Sequence, residues 1–155
     1  MIKSLRFSIF LLLFFTGCGF EIVNRSSVNF DIIDIKTEGD KRLNYKIKNK
    51  LLANTDKNNL EKIMLELKTN KTKIVKERNI KNEITKYQVK ITTDVKYNKI
   101  NDNKFINFSL GKSGDFDVAS QYSQTLTNEK KLVNSLLGEL IDEIFDKLIF
   151  SLNDL

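Results

Sequence analysis

Tyr87-Gln88-Val89-Lys90-Ile91-Thr92-Thr93-Asp94-Val95-Lys96-Tyr97 alternates without a break. Successive side chains of an extended strand point to opposite faces. Tyr87, Val89, Ile91, Thr93, Val95 and Tyr97 therefore share one side, and Gln88, Lys90, Thr92, Asp94 and Lys96 the other. One apolar and one polar face predict a strand of an antiparallel sheet that is wet on one side. The apolar side must be covered by another layer.

Working outward, Asn101-Asp102-Asn103 reads as a turn, and 105–110 as the next strand, with Ile106, Phe108 and Leu110 in register. Residues 111–114, with two glycines, predict a bend, and the strand resumes at 115–118. Upstream, Asn58 and Asn59 open a strand carrying Leu60, Ile63, Leu65 and Leu67. A polar stretch over 69–82, with Ile74, Val75 and Ile80 inside it, interrupts before the central strand. Residues 28–36 (Val28, Phe30, Ile32, then Ile33 and Ile35) read as a strand buried largely on both faces. Residues 37–40 form a turn. Asp40 caps a short amphipathic helix with Leu43, Ile47 and Leu51 at spacing four, ending near Asn54.

The cover comes last. Leu132, Val133, Leu136, Leu137, Leu140, Ile141, Ile144, Phe145, Leu148, Ile149 and Leu152 recur at steps of three and four. The helix starts between Ser120 and Asn128, and Gly138 within it costs about 1 kcal/mol relative to alanine. Its stripe is either core packing against the sheet or a face for a partner; the strands need a cover and this is the only long helix. The predicted fold is α+β: a two-layer sandwich in the order β-α-β-β-β-α, with a four-stranded, mostly antiparallel sheet covered on one face by two helices.

The start of the chain carries a different signal. Lys3 and Arg6 precede an apolar run from Phe7 to Phe15, followed by Thr16-Gly17-Cys18. A membrane-spanning helix needs roughly 20 apolar residues, so this shorter run reads as the core of a secretory signal. The position of Cys18 makes it a lipoprotein signal, although Phe15 stands where leucine is usual. Residues 1–17 are predicted to be the signal peptide, 18–27 a lipidated tether and 28–155 a single α+β domain. The Cys18 thiolate would take a diacylglycerol group, and its amine, freed by cleavage, a further acyl chain; the alternative is a free thiol near a terminus. Each buried acyl methylene contributes about 0.8 kcal/mol, so three chains would hold the protein on a membrane. Gly19, rather than Asp, follows the cysteine and favours the outer membrane. Cys18 is the only cysteine, so no internal disulfide can form.

The chain of 155 residues contains no His, Pro or Trp. Its 26 basic residues, less Lys3 and Arg6, leave 24 against 20 acidic ones, a formal charge of +4 after processing. That balance does not call for nucleic acid as a partner, and the excess of Lys over Arg is what an AT-rich genome encodes. Without histidine the commonest general base and metal ligand is missing. Gly111-Lys112-Ser113 lacks the earlier glycine of a phosphate loop, since Ile106 stands there. Asp115 and Asp117 read as solvated carboxylates. No nucleophile–base pair or metal-ligand spacing is present, so an enzyme is not expected, and no metal or cofactor beyond the covalent lipid on Cys18.

Lys68, Lys71, Lys73, Lys76, Arg78, Lys81, Lys86 and Lys90 face only Glu77 and Glu83 in the same segment, a local charge of +6. They fall at a predicted hairpin end. They are either a solvated lysine-rich tip or a site for the phosphates of an anionic glycolipid or nucleic acid.

Four stretches resemble the LPS-assembly lipoprotein LptE family. Gly17-Cys18-Gly19-Phe20 resembles its processed start, and the strand around Phe30 to Ile35, then a turn and a short basic helix, follows its order. Lys86-Tyr87-Gln88-Val89-Lys90-Ile91 is similar to its third strand, and Ser120-Gln121-Tyr122 to the entry of its last helix. The resemblance implies a non-catalytic outer-membrane lipoprotein, lipid-anchored on the periplasmic side. Such a protein plugs and helps assemble the LptD-type β-barrel of the lipopolysaccharide translocon. It implies an anchor at Cys18 and lipopolysaccharide contacts at Lys71, Lys73, Lys76, Arg78 and Lys81. The competing reading is a free periplasmic lipoprotein module that binds lipid or peptidoglycan and has no barrel partner.

Overall fold

The computed structural model describes residues 30–153, apart from 56, 101 and 103. The signal peptide, Cys18 and the tether lie outside the described residues. Strand β1 (Asp31–Gly39) leads into helix α1 (Lys41–Ala53), followed by β2 (Lys62–Arg78), β3 (Ile84–Lys99), β4 (Ile106–Asp117) and helix α2 (Tyr122–Asn153). The strands lie in the order β1-β2-β3-β4. The sheet is mixed: β1 runs parallel to β2, while β2–β3 and β3–β4 are antiparallel. The expected α+β sandwich, in the expected order, is what forms.

The helices take their places for local reasons. Asp40 Oδ1 accepts the N–H groups of Arg42 and Leu43, both at 3.0 Å. Such a cap is worth about 1 kcal/mol. Leu43, Ile47 and Leu51 then bury one face of α1. On the sheet, Ile63, Leu65 and Leu67 of β2 and Val89, Ile91, Val95 and Tyr97 of β3 form one core with Leu140, Ile144 and Leu148 of α2. The buried Tyr97 hydroxyl meets Ser151 Oγ at 2.7 Å. Thr69 and Thr93, both buried, bond each other's hydroxyls at 3.0 Å. A buried hydroxyl without a partner costs about 1–3 kcal/mol, so the pair is satisfied only as a pair.

Five details depart from the sequence expectations. β1 is not buried on both faces: Ile33 is 49% exposed while Ile32 and Ile35 are buried. The register shifts between Ile32 and Asp34, a bulge that pushes Ile33 out and explains the three-residue step between buried isoleucines. The strand also continues through the expected turn as far as Gly39. Leu60 lies ahead of β2 and is exposed. The polar stretch from Thr69 is not an interruption, because β2 runs on to Arg78. Last, 111–114 is not a bend: β4 is continuous, and Gly114 faces α2, where a Cβ would lie 2.8 Å from Leu132 Cδ1. Glycine there lets the helix lie close on the sheet.

β1 ends opposite Thr69. From Asn70 to Arg78, β2 pairs with β3 on one side and with no described strand on the other. At about 3.3 Å per residue, the 17-residue β2 is roughly 55 Å long. One end of the sheet receives the chain at Phe30; the other is the β2–β3 hairpin tip.

Candidate functional site

The hairpin tip is built by Asn79. Its Oδ1 accepts the N–H groups of Lys81 at 2.9 Å and Glu83 at 3.0 Å, and its Nδ2 donates to Glu83 Oε2 at 2.7 Å. Asparagine side chains favour such turns by imitating a backbone turn. Asn82 adopts φ 63°, a left-handed conformation that asparagine tolerates better than most residues. Arg78 Nη1 closes the turn on the Asn82 carbonyl at 2.8 Å. Ile80 and Lys81 project from the tip into solvent.

The five candidate residues, four lysines and Arg78, do not form one cluster. Lys71 and Lys73 stand opposite Ile91 and Val89 and so share the helix side of the sheet. Both reach Glu129 of α2, Lys71 at 3.6 Å and Lys73 at 2.7 Å. Lys73 also sits 4.3 Å above the Tyr87 ring, which stacks on Phe116 with centroids 5.6 Å apart. Lys76 meets Asp115 on the opposite face, where Gln88 Nε2 donates to the same carboxylate at 3.1 Å. Lys86 bridges Glu77 at 3.2 Å and Asp117 at 3.8 Å. Arg78 is committed to the turn. Lys81 forms no ion pair among the described residues.

The local charge counted along the sequence is therefore largely answered in space. Glu129, Asp115 and Asp117 come from α2 and β4 and were invisible to a count within one segment. The hydrogen bond from Lys76 holds the Asp115 carboxyl below the ordinary aspartate range, and the hydrogen bond from Lys73 does the same for Glu129. The hydrogen bond to Glu77 raises Lys86.

Glu129 gives a pH prediction. Its folded carboxyl is depressed, so the stability it contributes is complete above the ordinary glutamate range and is lost as pH falls through the lowered value. Carboxyl titration by NMR should show Glu129 protonating later on acidification than exposed glutamates. Lys73→Ala should move it back up. An unchanged titration in that variant would refute the pairing.

The wet face of the sheet holds a second feature, an open depression of about 630 Å³ lined by Lys36, Glu38, Glu66, Lys68, Asp94, Lys96, Asn107 and Ser109 among others. Four of its charges are paired, Lys68 with Glu38 and Lys96 with Glu66, both at 3.3 Å. Ser109 Oγ donates to Asp94 Oδ1 at 2.7 Å. The alternation of β3 marked Asp94 and Lys96 as wet, but nothing in the sequence marked the rung that they form with β1, β2 and β4. Among the described residues no group of three His, Cys, Asp or Glu is placed to hold a metal ion, and no helix is long and apolar enough to cross a membrane.

No protein-family model matches the chain, and no curated protein does. Solved structures do match. The fold is similar to that of rare lipoprotein B from Shewanella oneidensis, at 10% identity over 78% of this chain and 94% of that one, with a TM-score of 0.50. It is also similar to a candidate lipoprotein from Caulobacter crescentus CB15, at 16% identity over 77% of this chain and 90% of that one, with a TM-score of 0.56. At these identities the likeness establishes a shared fold.

Proposed function

We propose that this chain is a lipid-anchored lipoprotein of the outer membrane that serves, on the periplasmic side, as a subunit of the lipopolysaccharide translocon. It would seat in and help assemble an LptD-type β-barrel. The observation that carries the reading is a coincidence of two independent features. The leader ends at Cys18, and the domain behind it takes the same fold as rare lipoprotein B and the Caulobacter candidate lipoprotein. The surface supports it. Beyond Thr69, β2 carries Lys71, Lys73, Lys76 and Arg78 at exposed positions, which suits the water-lined lumen of a large barrel. On this reading Lys71, Lys73, Lys76 and Lys81 would exchange internal carboxylates, or water, for the phosphates of lipopolysaccharide. The reading assigns the chain no catalytic role and no cofactor beyond the lipid on Cys18.

Affinity purification from membranes tests it directly. A large β-barrel should copurify with the full chain, and depletion should leave that barrel misassembled and lipopolysaccharide missing from the cell surface. Recovery of a lipidated monomer, together with normal surface lipopolysaccharide after depletion, would reject this reading in favour of a free periplasmic module.

A further inference from the structure

The end of the sheet opposite the hairpin tip exposes an apolar group that neither the core nor the proposed barrel role uses. The bulge in β1 turns Ile33 outward, and Asp34 pairs with Met64. Met64 in turn stands opposite Asn98. Met64, Asn98 and Phe105 line one cleft on the wet face. Just beyond lie Ile100, whose N–H donates to the Lys62 carbonyl at 3.0 Å, and Leu60, which is 98% exposed. Ile33, Met64 and Phe105 are between two-fifths and three-fifths exposed. The Lys96 ammonium lies 4.2 Å above the Phe105 ring, an apolar body with a charged cap.

This is also the end at which the chain enters. Asp31 N–H donates to the Glu61 carbonyl at 2.8 Å, and Phe30 is buried beside Phe145, with ring centroids 5.9 Å apart. Cys18 precedes Phe30 by twelve positions, a reach of at most about 40 Å for a fully extended chain. A lipid on Cys18 therefore keeps this end within about 40 Å of the leaflet, while the hairpin tip lies about 55 Å from this end along β2.

We propose that the anchored chain, before it engages any barrel, rests this end of the sheet on the phospholipid leaflet. Leu60, Ile100 and Phe105 enter the interface, and Lys96 remains at headgroup level. The proposal goes beyond the translocon role and rests only on the reading of Cys18 as the anchor. A phospholipid surface is the chosen occupant because the covalent lipid delivers this end to it at high local concentration, where a few exposed apolar side chains suffice.

The test uses the full lipidated chain in vesicles of phosphatidylethanolamine and phosphatidylglycerol. Acylation consumes the Cys18 thiol, so a cysteine introduced by Leu60→Cys, Phe105→Cys or, as control, Ile80→Cys alone takes a fluorescent label. Labels at 60 and 105 should be quenched several-fold by brominated lipid and protected from aqueous iodide, with the opposite pattern at 80. If the mass of the chain shows the lipid in place and the vesicles carry the protein, yet 60 and 105 respond to iodide as 80 does, the proposal is overturned and the anchor stands. Protection from both quenchers would mean a second copy covers the patch, which also overturns it. A chain without lipid on Cys18 removes the premise, and the proposal falls with it.

Discussion

Gly39→Ala is expected to cost about 3 kcal/mol or more, an exceptional loss for adding one methyl group. Gly39 closes β1 at φ 92°, beyond the left-handed region that L-residues visit, and a Cβ there would lie 2.2 Å from the Thr69 carbonyl oxygen. That oxygen cannot retreat. It accepts Asp40 N–H at 2.8 Å, at the point where Asp40 caps α1, and Thr69 itself is held by Thr93. Asn44 Nδ2 fixes the preceding Glu38 carbonyl at 2.8 Å. The substitution therefore strains the turn, the cap and the β1–β2 register together. Urea unfolding followed by circular dichroism measures it, with Gly138→Ala as the internal control. A Cβ at Gly138 meets nothing within 4 Å, so the same change there should add about 1 kcal/mol. Equal effects at the two sites would show that the β1–α1 turn is not formed as described.

The second large effect is expected from Leu140→Ala, about 2–5 kcal/mol, read as a lower urea midpoint with an unchanged slope. Leu140 is fully buried near the middle of α2 and belongs to the same core as Val89, Ile91 and Ile144. Truncation leaves a cavity that a close-packed sheet and helix cannot collapse to fill. A loss below 1 kcal/mol would mean that the apolar stripe of α2 faces a partner rather than the sheet, the alternative left open by its periodicity.

What the sequence made legible is what burial writes into it. β3 alternates because Val89, Ile91, Val95 and Tyr97 face a core while Lys90, Asp94 and Lys96 face water. The α2 stripe and the Asp40 cap were readable for the same reason, each being a local pattern with a local cause. The outer half of β2 was not readable. From Asn70 to Arg78 neither face of β2 is buried and one edge has no neighbour among the described residues, so no alternation is imposed and the segment resembles a loop. Gly111 and Gly114 imitated a bend because the closeness of α2 that demands glycine at 114 comes from a residue 18 positions later, Leu132. The candidate basic site failed as a cluster by the same logic. Lys73 and Lys76 are three residues apart yet meet Glu129 and Asp115 on opposite faces, partners that only the tertiary fold supplies.

The first strand also decides how the domain would bear a load. A pull applied at Phe30 along β1 would load the bonds that β1 makes with β2 from Asp31 to Gly39. Tension applied that way is shared in shear by the whole row of bonds instead of opening them one by one. The Phe30 ring, seated against Phe145, acts as a stopper that must be drawn out before β1 can slide. An anchor of the kind proposed for Cys18 would thus hold the body by a strand that resists in shear.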